Sequence, residues 1–235
     1  MKYEKWIGLL PFYLLVVVLI LGIAHIGSDT VTTIAQRYPV VREHTIVIDA
    51  GHGGVDGGAI SCTGVLESNI NLEIALRLED LLHLLGHQTK MIRREDISVY
   101  TEGESIAQKK ISDLKERVRI VNETENAVLI SIHQNTFSDN RYGGAQVFYA
   151  NTTNSKELAN ILQNTLVTTV NTGSNRQSKK ADGVYLMNKI EKTGVLIECG
   201  FLSNPAEEAM LRSDTYQKKL CCIVVSSLSV FLNNS

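Results

Sequence analysis

The sequence predicts a single α/β domain built on a mostly parallel sheet flanked by helices, preceded by an N-terminal membrane segment. Three observations lead there. Short apolar runs rich in β-branched residues, such as Ile46–Ile48 and Ala127–Ile132, alternate with longer stretches whose apolar residues recur at helical spacing. These short runs are apolar at nearly every position, as strands covered on both faces are. Three of them are followed by polar, chemically competent residues, His52, His133 and Glu198, and the carboxyl ends of the strands are where such sheets gather their sites.

Taken in order, Lys2 and Lys5 precede an uncharged run from Trp6 to Gly27, long enough to cross a hydrocarbon core of ~30 Å as a helix. Ala24 and Ile26 make a poor cleavage site, so residues 1–27 read as an uncleaved signal anchor rather than a secretory leader. The lysines before the run put the remaining domain on the extracytoplasmic side, anchored in the membrane or, if the segment is cleaved, secreted. Residues 28–44 are polar and unpatterned, with Pro39 as a breaker, and read as a tether to a folded domain at 45–233.

That domain opens on a strand at Ile46–Asp49 and a loop crowded with glycine at positions 51, 53, 54, 57 and 58 around His52. Ser68 to Leu85 carries Ile70, Ile74, Leu78, Leu82 and Leu85 at helical spacing, with Gly86 as its stop. A short strand is expected at Gln88–Ile92, a polar loop to Ser112 and a helix over Ser112–Thr124. Strands at Ala127–Ile132 and Gln146–Tyr149 follow, then a helix over Ser155–Thr169 and a basic, polar loop from Gly173 to Asp182. Val184–Met187 and Val195–Ile197 read as the last strands, and 205–212 and 214–232 as closing helices.

The glycine loop is not a phosphate cradle. A P-loop would need Lys and then Ser or Thr after Gly58, where Ala59 and Ile60 stand, and a dinucleotide fingerprint would need glycine at Asp56. A net charge of -2 without a basic block argues against nucleic acid as partner. Cys62, Cys199, Cys221 and Cys222 form no C-x-x-C pair, so they read as free thiols, with Cys222 buried in an apolar helical stretch. His83 and His87 have H-E-x-x-H spacing, but Leu84 stands where the glutamate belongs.

His52 and His133 with one carboxylate would make the donor set of a catalytic zinc site with an open position. Glu67, in the connection leaving the His52 loop, is the best third ligand; Glu73 and Glu79, further along the helix, are expected to face solvent. Glu198 is an expensive carboxylate to place after the apolar run Val195–Ile197 and suits proton transfer. The residues alone leave open the reading in which strand-end histidines merely satisfy core or loop contacts.

Four motifs add to this: VIDAGHGG (47–54), GVLESNINL (64–72), LISIHQN (129–135) and LIECGFLSN (196–204). In order and spacing they resemble the zinc-dependent N-acetylmuramoyl-L-alanine amidases, over about Thr45 to Leu232. The resemblance implies a six-stranded α/β fold, zinc held by His52, Glu67 and His133, and Glu198 as the catalytic carboxylate. It implies hydrolysis of the amide between the lactyl group of N-acetylmuramic acid and the L-alanine of the peptidoglycan stem peptide, Glu198 passing the proton to the departing nitrogen. A short form led by a membrane segment and without wall-binding repeats resembles members acting in spore cortex maturation and germination, where muramic lactam is made. Such a chain relies on its anchor, its cleft or an accessory protein for targeting or activation.

Asn135 is a candidate substrate-orienting residue, with a turn-stabilising role as the alternative. Arg94 and the loop with Arg176, Lys179 and Lys180 could meet peptide carboxylates or form a solvated charged face. Two rival functions are a cysteine hydrolase using Cys199, which departs from the residue usual after that glutamate, and a non-catalytic peptidoglycan-binding or regulatory module. The first leaves Glu67 and Glu198 idle, and the second predicts a lost ligand, whereas none is lost.

Overall fold

The computed structural model describes residues 44–234. The expected membrane anchor and nearly all of the tether lie outside these residues, and among those described no helix is long and apolar enough to cross a membrane. The strands are β1 (Thr45–Ala50), β2 (Gln88–Met91), β3 (Ala127–Asn135), β4 (Gln146–Tyr149), β5 (Lys179–Lys180) and β6 (Thr193–Phe201). The helices are α1 (Glu67–Leu84), α2 (Ile106–Glu123), α3 (Ser155–Thr169), α4 (Tyr185–Lys189), α5 (Pro205–Leu211) and α6 (Asp214–Asn234).

The strands form one sheet in the order β2-β1-β3-β6-β4-β5. Neighbours run parallel except β4, which is antiparallel to β6. One face buries Ile46, Ile48, Ile130, Ile132, Val195 and Ile197 against α1, α3 and α6. The other buries Val47, Leu129 and Leu196 against residues of α2 and α4, including Val121, Leu186 and Met187. Because side chains alternate along a strand, each central strand contributes to both cores.

Several boundaries differ from the expected ones for identifiable reasons. Val184–Met187 is not a strand: Tyr185–Lys189 is a helical turn and a half, since four apolar residues carry too little pattern to separate strand from helix. Helix α2 begins at Ile106, not Ser112, because Ser105 and Gln108 form a capping box, each side chain bonding the other's backbone N–H. β3 and β6 run past the polar residues expected to end them, so His133 and Glu198 sit inside strands. The basic loop contains the two-residue β5. Glu79 is buried and paired with Arg94, not solvent-facing. All four cysteines are free, but Cys222 is exposed while its neighbour Cys221 is buried.

Candidate metal centre and active site

β1 and β3 are in parallel register through Ala50 and Ile132, so the chain leaves both strands at one edge of the sheet. There the backbone of His52 adopts a left-handed conformation (φ 61°), which turns its ring back across the edge. Gly51 N–H donates to Ile132 O at 3.0 Å and keeps the turn tied to β3. A side chain at Gly51 would run into the His133 ring, and a Cβ at Gly58 would lie 2.6 Å from Glu67 Oε2. These two glycines therefore keep space in which the two imidazoles and the carboxylate can meet.

Glu67 is the first residue of α1, where a carboxylate is favoured by the helix dipole. Its carboxylate spans the two histidines: Oε2 lies 3.2 Å from His52 Nε2, and Oε1 lies 3.1 Å from His133 Nδ1. The three donor atoms lie within 4.8 Å of one another. Around an ion with bonds of ~2.0–2.1 Å, ligands at tetrahedral corners stand about 3.3 Å apart, so the set fits a zinc-sized ion with one corner open. Among the described residues this is the group of three such side chains placed to hold a metal; His83 and His87 are not part of it.

Two of the three side chains, His52 and Glu67, are held by further neighbours. Asp56 Oδ2 lies 2.9 Å from His52 Nδ1, which leaves Nε2 to face the centre. Glu67 accepts the N–H groups of Ala59 and Gln134 and the Asn71 amide, each at 3.0–3.1 Å. Burial disfavours the charged imidazole of His52, yet Glu67 and Asp56 outweigh it and raise its pKa to about 9. Burial would also raise Glu67, but its bonds to His133 and His52 hold it well below the usual carboxylate range.

Glu198 stands opposite His133 in the β3–β6 register, so both project from the same face. Its Oε2 is enclosed without a hydrogen-bond partner. Burial, opposed by His133 and reinforced by Glu67, pushes its pKa up to about 7. A carboxyl balanced near neutrality beside an open metal position can take up and return a proton.

Two buried arginines hold the loop behind this centre, and neither was expected from the sequence. Arg117 is paired with Asp49 and Asp113 and donates to Ala50 O and to His52 O at 2.7 Å. Arg93 donates to the carbonyls of Ala50, Gly51 and Ser68 at 2.8–3.0 Å. Asp49, closing an apolar run, carried the same signal of a costly buried charge as Glu198. Asp56 carried no signal beyond its place among the glycines.

The other candidate residues make the following contacts. Asn135 Oδ1 accepts the N–H of Thr136 at 2.8 Å, a turn contact. Arg176 donates to Gly143 O and Gln146 Oε1 and lies over the Phe201 ring, and Lys179 and Lys180 are exposed. Cys199 is enclosed in the core on the face away from Glu198, and burial together with the Glu198 charge pushes its thiol pKa upward. A thiol so placed is a poor nucleophile.

Residues 46–229 match the model of a protein family described as N-acetylmuramoyl-L-alanine amidase. The chain is 36% identical over 185 residues to the germination-specific N-acetylmuramoyl-L-alanine amidase of Bacillus subtilis (strain 168), covering 78% of this chain and 77% of that one. Its structure resembles that of the CwlD amidase from Clostridioides difficile in complex with the GerS lipoprotein, with a TM-score of 0.77 and 37% identity over 81% of this chain and 99% of that one. An N-acetylmuramoyl-L-alanine amidase from Clostridium difficile 630 gives a TM-score of 0.71 and 30% identity, covering 82% and 98%.

Proposed function

The chain belongs to the N-acetylmuramoyl-L-alanine amidase family, and from that premise we propose that His52, Glu67 and His133 hold a zinc ion beside which Glu198 handles the proton of amide hydrolysis. The protein is a peptidoglycan amidase that separates the stem peptide from N-acetylmuramic acid. The observation carrying the residue assignment is the unpartnered Oε2 of Glu198, on the same face of the sheet as His133. When bound, zinc would supply a Lewis acid for the lactyl carbonyl and lower the pKa of water to ~7.

The remaining work falls to the chain. Asp56 holds His52 with Nε2 inward, and Glu67 keeps both imidazoles converged. Glu198, with its pKa near 7, accepts a proton from the attacking water and returns it to the L-alanine nitrogen as the amide breaks. Asn135, at the exit of β3, orients the substrate backbone through its amide nitrogen while its oxygen holds the turn.

We place the reaction on the extracytoplasmic side, at an enzyme anchored by residues 1–27, in maturation of the spore cortex. Likeness to the germination-specific relative supports that setting. The complex formed by the Clostridioides difficile relative with a lipoprotein supports an accessory protein in loading or targeting.

Purified protein with zinc, incubated with peptidoglycan and followed by mass spectrometry, should release intact stem peptides. Glu198→Ala should keep zinc and release none, and chelation should silence the wild type while thiol alkylation should not. Products with cut glycan or cut cross-links and intact muramoyl-alanine bonds would overturn the reading.

A further inference from the structure

The loop that leaves β3 carries two aromatic side chains in the open. Phe137 and Tyr142 are each half exposed, with ring centroids 4.5 Å apart and planes tilted by 56°. They belong to neither core. An aromatic side chain buries ~150–250 Å² when enclosed, so the pair leaves roughly 200 Å² facing solvent.

The backbone beneath the rings is fixed. Phe137 N–H donates to Ser203 Oγ at 3.0 Å, and Asn204 Nδ2 donates to Tyr142 O at 3.2 Å. Between them Asp139 accepts both the backbone N–H and the guanidinium of Arg141. Ser203 and Asn204 join β6 to α5, so the rings rest on the corner made by the strand that carries Glu198. A loop held in advance loses little entropy when a ligand arrives.

Position and chemistry narrow the occupant. Phe137 lies four residues beyond His133, at most ~14 Å of chain, and Leu202 N–H donates to Asn135 O at 2.8 Å, keeping the exit of β3 beside β6. A glycan whose muramoyl carbonyl lies at the metal centre therefore has further sugar rings within reach of the pair. The hydrogens on the apolar face of a pyranose are slightly positive and suit the negative face of an aromatic ring. Arg141, 86% exposed, and Asp139 stand beside the rings to meet hydroxyl and N-acetyl groups. A protein partner would need ~800 Å² on its side, about four times what the pair offers.

Resting on the amidase reading, we propose that Phe137 and Tyr142 form a sugar platform, on which the glycan strand stacks a ring neighbouring the muramoyl unit being cleaved. The platform reads the chain of sugars and not the stem peptide, and it lets the catalytic domain itself hold the polymer.

The test is calorimetric titration of the full-length protein with a peptide-free tetrasaccharide of alternating N-acetylglucosamine and N-acetylmuramic acid. The wild type should bind it, and Phe137→Leu and Tyr142→Leu, which keep the apolar bulk and remove the aromatic face, should each weaken binding about fivefold. In the wild type, nuclear Overhauser contacts should join sugar-ring protons to the ring protons of Phe137 and Tyr142, a readout independent of how the variants fold. No binding by the wild type, equal binding by both leucine variants, or absence of those contacts would overturn the platform. The probe has no muramoyl–alanine bond, so its failure is distinct from a failure of the amidase reading, which the Glu198→Ala digest reports.

Discussion

The two faces of the sheet are built on opposite terms. Toward α1, α3 and α6, β1, β3 and β6 present mainly hydrocarbon, Ile46, Ile48, Ile130, Ile132, Val195 and Ile197, with Gln134 and Cys199 near the carboxyl edge. Toward α2 and α4 the same strands begin with Val47, Leu129 and Leu196 and then, nearer the carboxyl edge, present Asp49, Ser131, His133 and Glu198. One face is stabilised by area removed from water, whereas the other holds Asp49 paired with Arg117 and keeps Glu198 without a bonded partner for Oε2. Consecutive residues of one strand therefore serve stability and chemistry separately, and substitution can address either alone.

The sharpest use of that contrast is the neighbouring pair Ile132 and His133, which point to opposite faces. His133→Ala should lower activity by at least about 100-fold and weaken zinc binding, with little loss in the stability of the metal-free protein. Ile132→Ala should do the reverse: a loss of about 2–5 kcal/mol in denaturant unfolding, with zinc stoichiometry kept. If both changes fell mainly on stability, the division of labour between the faces would not hold.

On the charged face, Arg117→Met strands Asp49 in the interior and should cost about 3–5 kcal/mol, measured by urea unfolding. Replacing both members, Asp49→Asn with Arg117→Met, should recover much of that loss, because the penalty belongs to the widowed charge.

The same pair sets a pH signature. Burial opposes the Asp49 charge, but Arg117, His133 and Ser131 hold its carboxyl below the usual range. A depressed carboxyl contributes stability above its unfolded pKa of ~3.9 and loses it as pH falls through the lower folded value. Wild-type stability should thus fall more steeply below about pH 4 than that of the double variant, by the slope of one proton. Identical slopes would mean that Asp49 does not carry its charge in the folded state.

The smallest effect should come from Ser105→Ala, which removes half of the capping box of α2 at a cost of about 1 kcal/mol and leaves activity per folded molecule unchanged. A large activity loss there would show that the start of α2 matters to the active site beyond its stability.

The apolar face was the readable one. β1, α1, β3, α3 and α6 follow from runs and spacings that burial imposes directly, and the convergence of His52, Glu67 and His133 follows from motifs at strand ends. The charged face was less so. Arg117 meets Asp49 across 68 positions, a pairing no local pattern encodes. The sheet order places β6 between β3 and β4, which spacing cannot predict, and the brief apolar stretch Val184–Met187 suits a strand as well as the helix it enters. Other signals were present but local: Ser105 with Gln108 marks a helix start six residues before the apolar periodicity becomes visible.

The position of β6 has a consequence for synthesis. β3 and β4 follow one another along the chain but never pair; the gap between them is closed by residues 193–201, which leave the ribosome late. Until those residues arrive, two strand edges face each other bare, a state prone to wrong partners and slow to resolve. The strand that ends this exposure is also the one that carries Glu198. If Glu198 has the role proposed for it, the enzyme gains its proton carrier in the same event that seals its sheet.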